Sequence, residues 1–164
     1  MTKIYLTRHG ETVWNRQQRF QGHKNSELTD KGILAAELLA DRIEDIELDY
    51  IVSSPLLRAY NTAEIARGNK DVQIIKYDGL KEINLGEFEG MSYVDIKSKH
   101  TELLAEIEKD PFNNRYPNGE NLQEFYKRVV KVFTEVVDKH RNKTTLIVAH
   151  GGTLKCIEAY IRKF

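Results

Sequence analysis

Cys156 is the chain's one cysteine, which excludes an internal disulfide and a zinc site built on several thiolates. An excess of either charge is missing too, since 25 Lys and Arg are matched by 25 Asp and Glu. A neutral chain lacks the basic footprint of a general nucleic-acid binder, so any affinity for anions has to be focal. No apolar run approaches the roughly 20 residues that a membrane-spanning helix needs. The amino terminus opens on a short strand-like run, not a charged-then-apolar leader. Internal repeats, low-complexity tracts and linkers are absent. These absences predict a soluble, cytoplasmic protein of a reducing compartment, with neither nucleic acid nor membrane as partner. At 164 residues the chain is long enough for one domain with a real core and short for two, so residues 1–164 are read as a single domain. Nothing in the sequence speaks to oligomeric state.

Four β-branched, apolar runs are present: Ile4 to Leu6, Tyr50 to Val52, Val72 to Tyr77 and Thr145 to Ala149. Helix-like segments lie between them. Leu34, Ala35, Leu38, Leu39, Arg42, Ile43 and Ile46 follow a period near 3.6, with Thr29 and Asp30 available as caps. A second helix runs from Leu56 to Ala66, started by Pro55 and stopped near Gly68. A third opens at Ser92 and runs toward Lys109. Asn121 stands three residues before Glu124, the spacing of a capping box, and opens a helix burying Phe125, Val129, Val132, Phe133 and Val136 or Val137. A last helix covers Thr153 to Lys163. Alternation of strand and helix predicts an α/β fold with three layers, α/β/α, around a mostly parallel central sheet. The segment from Asp110 to Asn121, with two prolines and Gly119, reads as a mobile loop or lid.

Polar clusters follow the predicted strands: Arg8-His9-Gly10, Ser53-Ser54-Pro55 with Arg58, Leu80-Lys81-Glu82, and His150-Gly151-Gly152. In a parallel sheet all four converge on the rim where open α/β sheets hold ligands. Arg8 and Arg58 suit the forked, charge-assisted recognition of phosphate oxygens. The glycines after His150 lead into a helix amino terminus, which also attracts anions. His9 and His150 supply donors or a nucleophile, and neighbouring guanidinium charges would keep one imidazole neutral. A carboxyl group is needed to protonate a leaving oxygen; Glu82, Glu87 and Glu89 are all close, and spacing barely ranks them. The inferred reaction is phosphoryl transfer through an imidazole. The bland alternatives are a surface ion pair for Arg8, a turn histidine at His9, a solvated Arg58 and a strand-ending turn at His150; the convergence of all four outweighs them. No metal site is expected, because there is no His-x-His pair, no histidine pair one helical turn apart, and two arginines would repel a cation. His100 and His140 are expected to be exposed, Cys156 to be packing, and Trp14 and Phe20 to pack beside the pocket mouth.

In sum, Arg8-His9-Gly10-Glu11-Thr12 with Asn15 and Gln21-Gly22, Leu28-Thr29 with Gly32, Ser53-Ser54-Pro55 with Arg58-Ala59 and Thr62-Ala63, and His150-Gly151-Gly152 resemble, in order, the motifs of the histidine phosphatase superfamily, the phosphoglycerate-mutase-like fold. The resemblance implies that His9 is phosphorylated during turnover and that Arg8, Asn15, Arg58 and His150 hold the phosphate. It also implies Glu82 as the proton donor, Gln21, Gly22 and Gly151 as substrate-binding residues, no cofactor, and a small-molecule phosphate ester as substrate. The stretch from Leu80 to Gly90 is similar to the phosphatase branch, especially alpha-ribazole and broad-specificity phosphatases, and no Arg-Arg pair of the mutase kind occurs. Phosphoglycerate mutase and an idle phospho-ligand binding module are the rival readings. Glu27 stands where many relatives have proline, Asn61 where glutamine is common, and the stretch after His150 is short for the family.

Overall fold

The computed structural model describes residues 1–163. Strand β1 (Lys3–Arg8) is followed by a short helix α1 (Val13–Arg16), helix α2 (Asp30–Arg42), β2 (Tyr50–Ser53), α3 (Leu57–Arg67) and β3 (Gln73–Lys76). Two 3-10 turns, Asp78–Leu80 and Gly86–Phe88, then lead to α4 (Tyr93–Lys99), α5 (Thr101–Lys109), α6 (Leu122–Lys139), β4 (Thr144–Ala149) and α7 (Gly151–Arg162). The sheet runs β1-β4-β2-β3 and every pairing is parallel.

Handedness sets the layers. The chain crosses the sheet from β1 through β2 to β3 and returns to β4, so right-handed crossovers put α2 and α3 on one face and α6 on the other. Alternation along each strand then divides the core. Ile51, Leu146 and Val148 pack with Ile43, Ala59 and Ala63 on the first face. Val52, Ile147 and Ala149 pack with Phe125, Val129, Phe133 and Val136 on the second. Central β4 has neighbours on both sides and reads as a nearly continuous apolar run, as a doubly covered strand must. β1 is an edge, and its Tyr5 and Leu6 stay partly exposed.

Local chemistry explains the helix starts. Thr29 Oγ1 accepts from Gly32 N, capping α2, and Asn121 and Glu124 form the reciprocal box that opens α6. Two departures from expectation have local causes. The third helix is broken at His100, whose φ of −134° and ψ of 39° leave helical space and separate α4 from α5. The last helix begins at Gly151, two residues early, because the residue straight after β4 already serves as its cap.

The segment read as a lid is laced to its neighbours: Glu87 N donates to Pro117 O at 3.0 Å, and Glu120 N to Asn84 O at 2.9 Å. Leu85, Phe88, Ile96, Leu104 and Ile107 form a third cluster beneath residues 82–90. His140 is buried, not exposed, its ring tilted against that of Tyr50 with centroids 4.5 Å apart. His100 is half-buried against Phe88. Their charged neighbours in the chain concealed aromatic partners supplied by other elements. No helix among the described residues is long and apolar enough to cross a membrane.

Candidate active site

The four polar clusters meet at the carboxyl ends of the strands, around β4, where the crossing direction reverses. His9 follows β1 and extends its ladder, donating its backbone N–H to Ala149 O. A Cβ on Gly10 would stand 2.4 Å from the carbonyl oxygen of Gly32, so only glycine lets this turn close onto α2. The His9 side chain is buried, and its Nδ1 lies 2.7 Å from Gly10 O. A carbonyl only accepts, so Nδ1 carries the proton and Nε2 keeps its lone pair. Burial lowers the His9 pKa to about 4, with Arg58 and Arg8 adding to the shift and the Gly10 bond opposing it. Neighbouring guanidinium groups therefore act in the expected direction, but burial is the larger cause.

Arg58 lies in the first turn of α3 and is 1% exposed. Its Nη1 donates to Lys24 O and its Nη2 to Gly22 O, each at 2.7 Å, while Nε is buried without a partner among the described residues. Burial brings its pKa down to about 10, against the pull of Glu82 and Glu89. His150 follows β4 and caps α7, fully buried. Its Nε2 is 2.7 Å from Ser54 Oγ, and its Nδ1, like Arg58 Nε, has no partner. Burial, then the charge of Arg58, holds its pKa well below the ordinary histidine value. The His9 and His150 rings lie 5.2 Å apart. Arg8 is exposed, and its guanidinium carbon stands 3.7 Å from where a Cβ on Gly151 would be. Gly151 keeps that flank thin.

Glu82 arrives from the turn after β3. Its Oε2 accepts from Gly152 N, in the first turn of α7, and its Oε1 from Ile83 N, each at 3.0 Å. That contact carries the carboxyl group to the helix that His150 caps. Asn15 closes the box that starts α1, its Oδ1 accepting from Thr12 N and Oγ1, which leaves the amide nitrogen as its donor toward a ligand. Gln21 and Gly22 are buried. Gln21 Oε1 lies 3.0 Å from Thr12 Oγ1, whose single hydrogen is shared between it and Asn15 Oδ1. Gly22 has φ of +51°, its carbonyl is taken by Arg58, and a Cβ there would meet the Glu89 carboxylate at 2.1 Å. These contacts give Gly22 a supporting place behind Arg58.

Support of this kind was not legible in the sequence. Glu89 is buried and accepts from the backbone N–H groups of His23, Lys24 and Leu85, at 2.7, 3.2 and 3.2 Å. It ties the loop held by Arg58 to the segment that carries Glu82. Arg128, from α6, binds Glu120 with two nitrogens and donates to the carbonyls of Gly79, Lys81 and Glu82. Glu87, by contrast, is exposed and bonds Asn118. Trp14 packs near Gly90 and Phe20 joins the third cluster, both beside the 88–91 segment. Cys156 is half-buried against the α6 cluster, and burial pushes its thiol up to about 11.

Comparison with known proteins follows the same lines. The family model described as "Histidine phosphatase superfamily (branch 1)" matches residues 4–164. The chain is 37% identical over 158 residues to "Phosphoserine phosphatase 1" of Hydrogenobacter thermophilus, covering 96% of this chain and 74% of the relative. It is 33% identical over 161 residues to "Probable phosphoglycerate mutase GpmB" of Escherichia coli O1:K1, covering 98% and 75%. In three dimensions it is similar to the alpha-ribazole phosphatase of Shigella flexneri, with a TM-score of 0.92 and 28% identity over 96% of this chain and 78% of that one.

Proposed function

The chain belongs to the histidine phosphatase superfamily (branch 1), and from that premise we propose that it is a metal-independent phosphomonoesterase turning over through phospho-His9. The observation that carries the reading is one arrangement. Two buried nitrogens, Arg58 Nε and His150 Nδ1, have no partner among the described residues, and they accompany a buried imidazole whose Nε2 bears a lone pair. Leaving two such polar atoms unpaired is costly, and a phosphoryl group can answer both at once. Arg8 and the Asn15 amide add donors on the open side.

In the first step His9 Nε2 attacks phosphorus, the ester P–O bond breaks, and Glu82 gives a proton to the departing oxygen. In the second, water attacks phospho-His9 and returns a proton to Glu82; the N–P bond breaks and inorganic phosphate leaves. The protein contributes mainly alignment and fixed positive charge, which dominate catalysis of phosphoryl transfer. The substrate is a small phosphate ester. Phosphoserine and alpha-ribazole 5'-phosphate, the esters that relatives' names point to, are the first to try. The mutase reading rests on the Escherichia coli relative and predicts isomer exchange of phosphoglycerate with no free phosphate.

The test is phosphate release from a panel of esters in EDTA, wild type against His9→Ala. Release that survives EDTA and vanishes in the variant is expected. EDTA-sensitive release, or an active His9→Ala protein, would overturn the mechanism. Glu82→Gln should slow alkyl esters far more than aryl esters, whose leaving groups need little protonation. Equal losses on both would remove Glu82 from its role.

A further inference from the structure

Ser54 and His150 are both fully buried, and the hydroxyl lies 2.7 Å from Nε2. We propose that Ser54 is a positioning residue that fixes the tautomer of His150: its hydroxyl donates to Nε2, so the ring proton sits on Nδ1 and points that donor at the phosphoryl oxygens. Only the last clause rests on the phosphatase reading.

The direction of the bond follows from counting donors and acceptors. Ser54 has one hydroxyl hydrogen, and its oxygen already accepts from Leu56 N at 3.3 Å. Among the described residues, His150 Nε2 is the one partner that can take the hydroxyl hydrogen. If Nε2 were instead the donor, that hydrogen would be stranded in the interior and Nδ1 would become a bare lone pair, also without a partner. Two buried groups would then be unsatisfied, each costing about 1–3 kcal/mol. With Ser54 donating, only Nδ1–H is left, and a phosphate oxygen completes it. A neutral ring is required for this choice to exist, and burial together with Arg58 keeps His150 neutral at pH 7.

The backbone supports the same geometry. Ser54 N donates to Val148 O at 3.0 Å, which extends the β2–β4 ladder past its last paired residues. Serine and histidine therefore sit on adjacent strand ends, in fixed register. His9 is governed by the same device with the opposite result. There a carbonyl fixes the proton on Nδ1 and leaves Nε2 bare for attack. Here a hydroxyl occupies Nε2 and leaves Nδ1–H to bind. One imidazole becomes the nucleophile and the other a donor because of what each hydrogen-bonds behind it.

The experiment is a long-range proton–nitrogen NMR spectrum of the 15N-labelled chain at pH 7, with the His150 ring assigned by its disappearance in His150→Gln. The expected result is a protonated Nδ1 and a bare Nε2 on His150. A protonated Nε2 would overturn the proposal whether or not any ester is hydrolysed, and failure of the phosphatase assay with the expected spectrum would overturn only the phosphatase reading. In Ser54→Ala the ring should show both tautomers and kcat/KM should fall about tenfold, the loss of about one net hydrogen bond; Ser54→Thr, which keeps the hydroxyl, should restore the single tautomer. A Ser54→Ala ring that stays wholly Nδ1–H would refute the role. Should the alanine variant not fold, the wild-type spectrum still decides.

Discussion

Replacing Glu89 by glutamine separates the carboxyl group placed for chemistry from the one that holds the site together. Glu89 Oε1 accepts from His23 N and Leu85 N, and Oε2 from Lys24 N. Glutamine keeps one oxygen and can retain the first pair. Its amide nitrogen must then face Lys24 N, donor against donor, and the charge opposite Arg58 is gone. A hydrogen bond to a buried charged acceptor contributes about 1.5–3 kcal/mol, and Lys24 N, which also donates to Gln21 O at 3.0 Å, keeps that partner when the Glu89 bond is lost. Glu89→Gln should therefore lower stability by about 1.5–3 kcal/mol. With a urea slope of about 2 kcal/mol per molar, the unfolding midpoint, followed by circular dichroism, should drop by about 1 M. Glu82→Gln loses one backbone bond at a half-buried position, so its midpoint should move by less than half as much. Equal midpoints for wild type and Glu89→Gln, or a larger shift for Glu82→Gln, would show that the Glu89 bonds do not hold the loop at Gly22 to the turn at Glu82.

Other consequences are as direct. The pKa of His9 is about 4 when folded and 6.5 as the ordinary value, so between these limits the unfolded chain binds more protons. Stability is thus complete above pH 6.5 and declines by about 3 kcal/mol as pH falls toward 4, with His150 adding to the loss; urea midpoints that stay level over this window would contradict the burial of both rings. In Arg58→Lys one ammonium replaces a fork that holds two carbonyls while presenting a third nitrogen. Phosphate release should fall at least about a hundredfold, and stability by about 2–4 kcal/mol; a lysine variant within threefold of wild-type activity would dismiss the fork.

The sheet was legible because its strands are short, β-branched and separated by helical periods, and the parallel topology follows from that alternation alone. The converging rim was legible for the same reason: Arg8 ends a strand, and His9, Arg58, Glu82 and His150 each follow one. The break at His100 was not, since Ser92 to Lys109 keeps one helical pattern across the residue where the backbone leaves helical space. Nor was the lacing of residues 110–121, whose prolines and glycine mark a loop but say nothing of what it touches.

What the sequence determined by itself, then, is which side chains reach the rim, because strand ends are local features and parallel pairing brings them to one side. What only the tertiary structure decided is the state in which those side chains arrive. Whether His9 or His150 offers a lone pair or a proton depends on a carbonyl and a hydroxyl behind each ring, and the hydroxyl lies 96 residues away in the chain. Of the three nearby glutamates, Glu82 meets the start of α7, Glu89 is buried among backbone N–H groups and Glu87 faces solvent. Charge, protonation and burial are set by neighbours in space, and those neighbours come from elements that spacing along the chain does not bring into view.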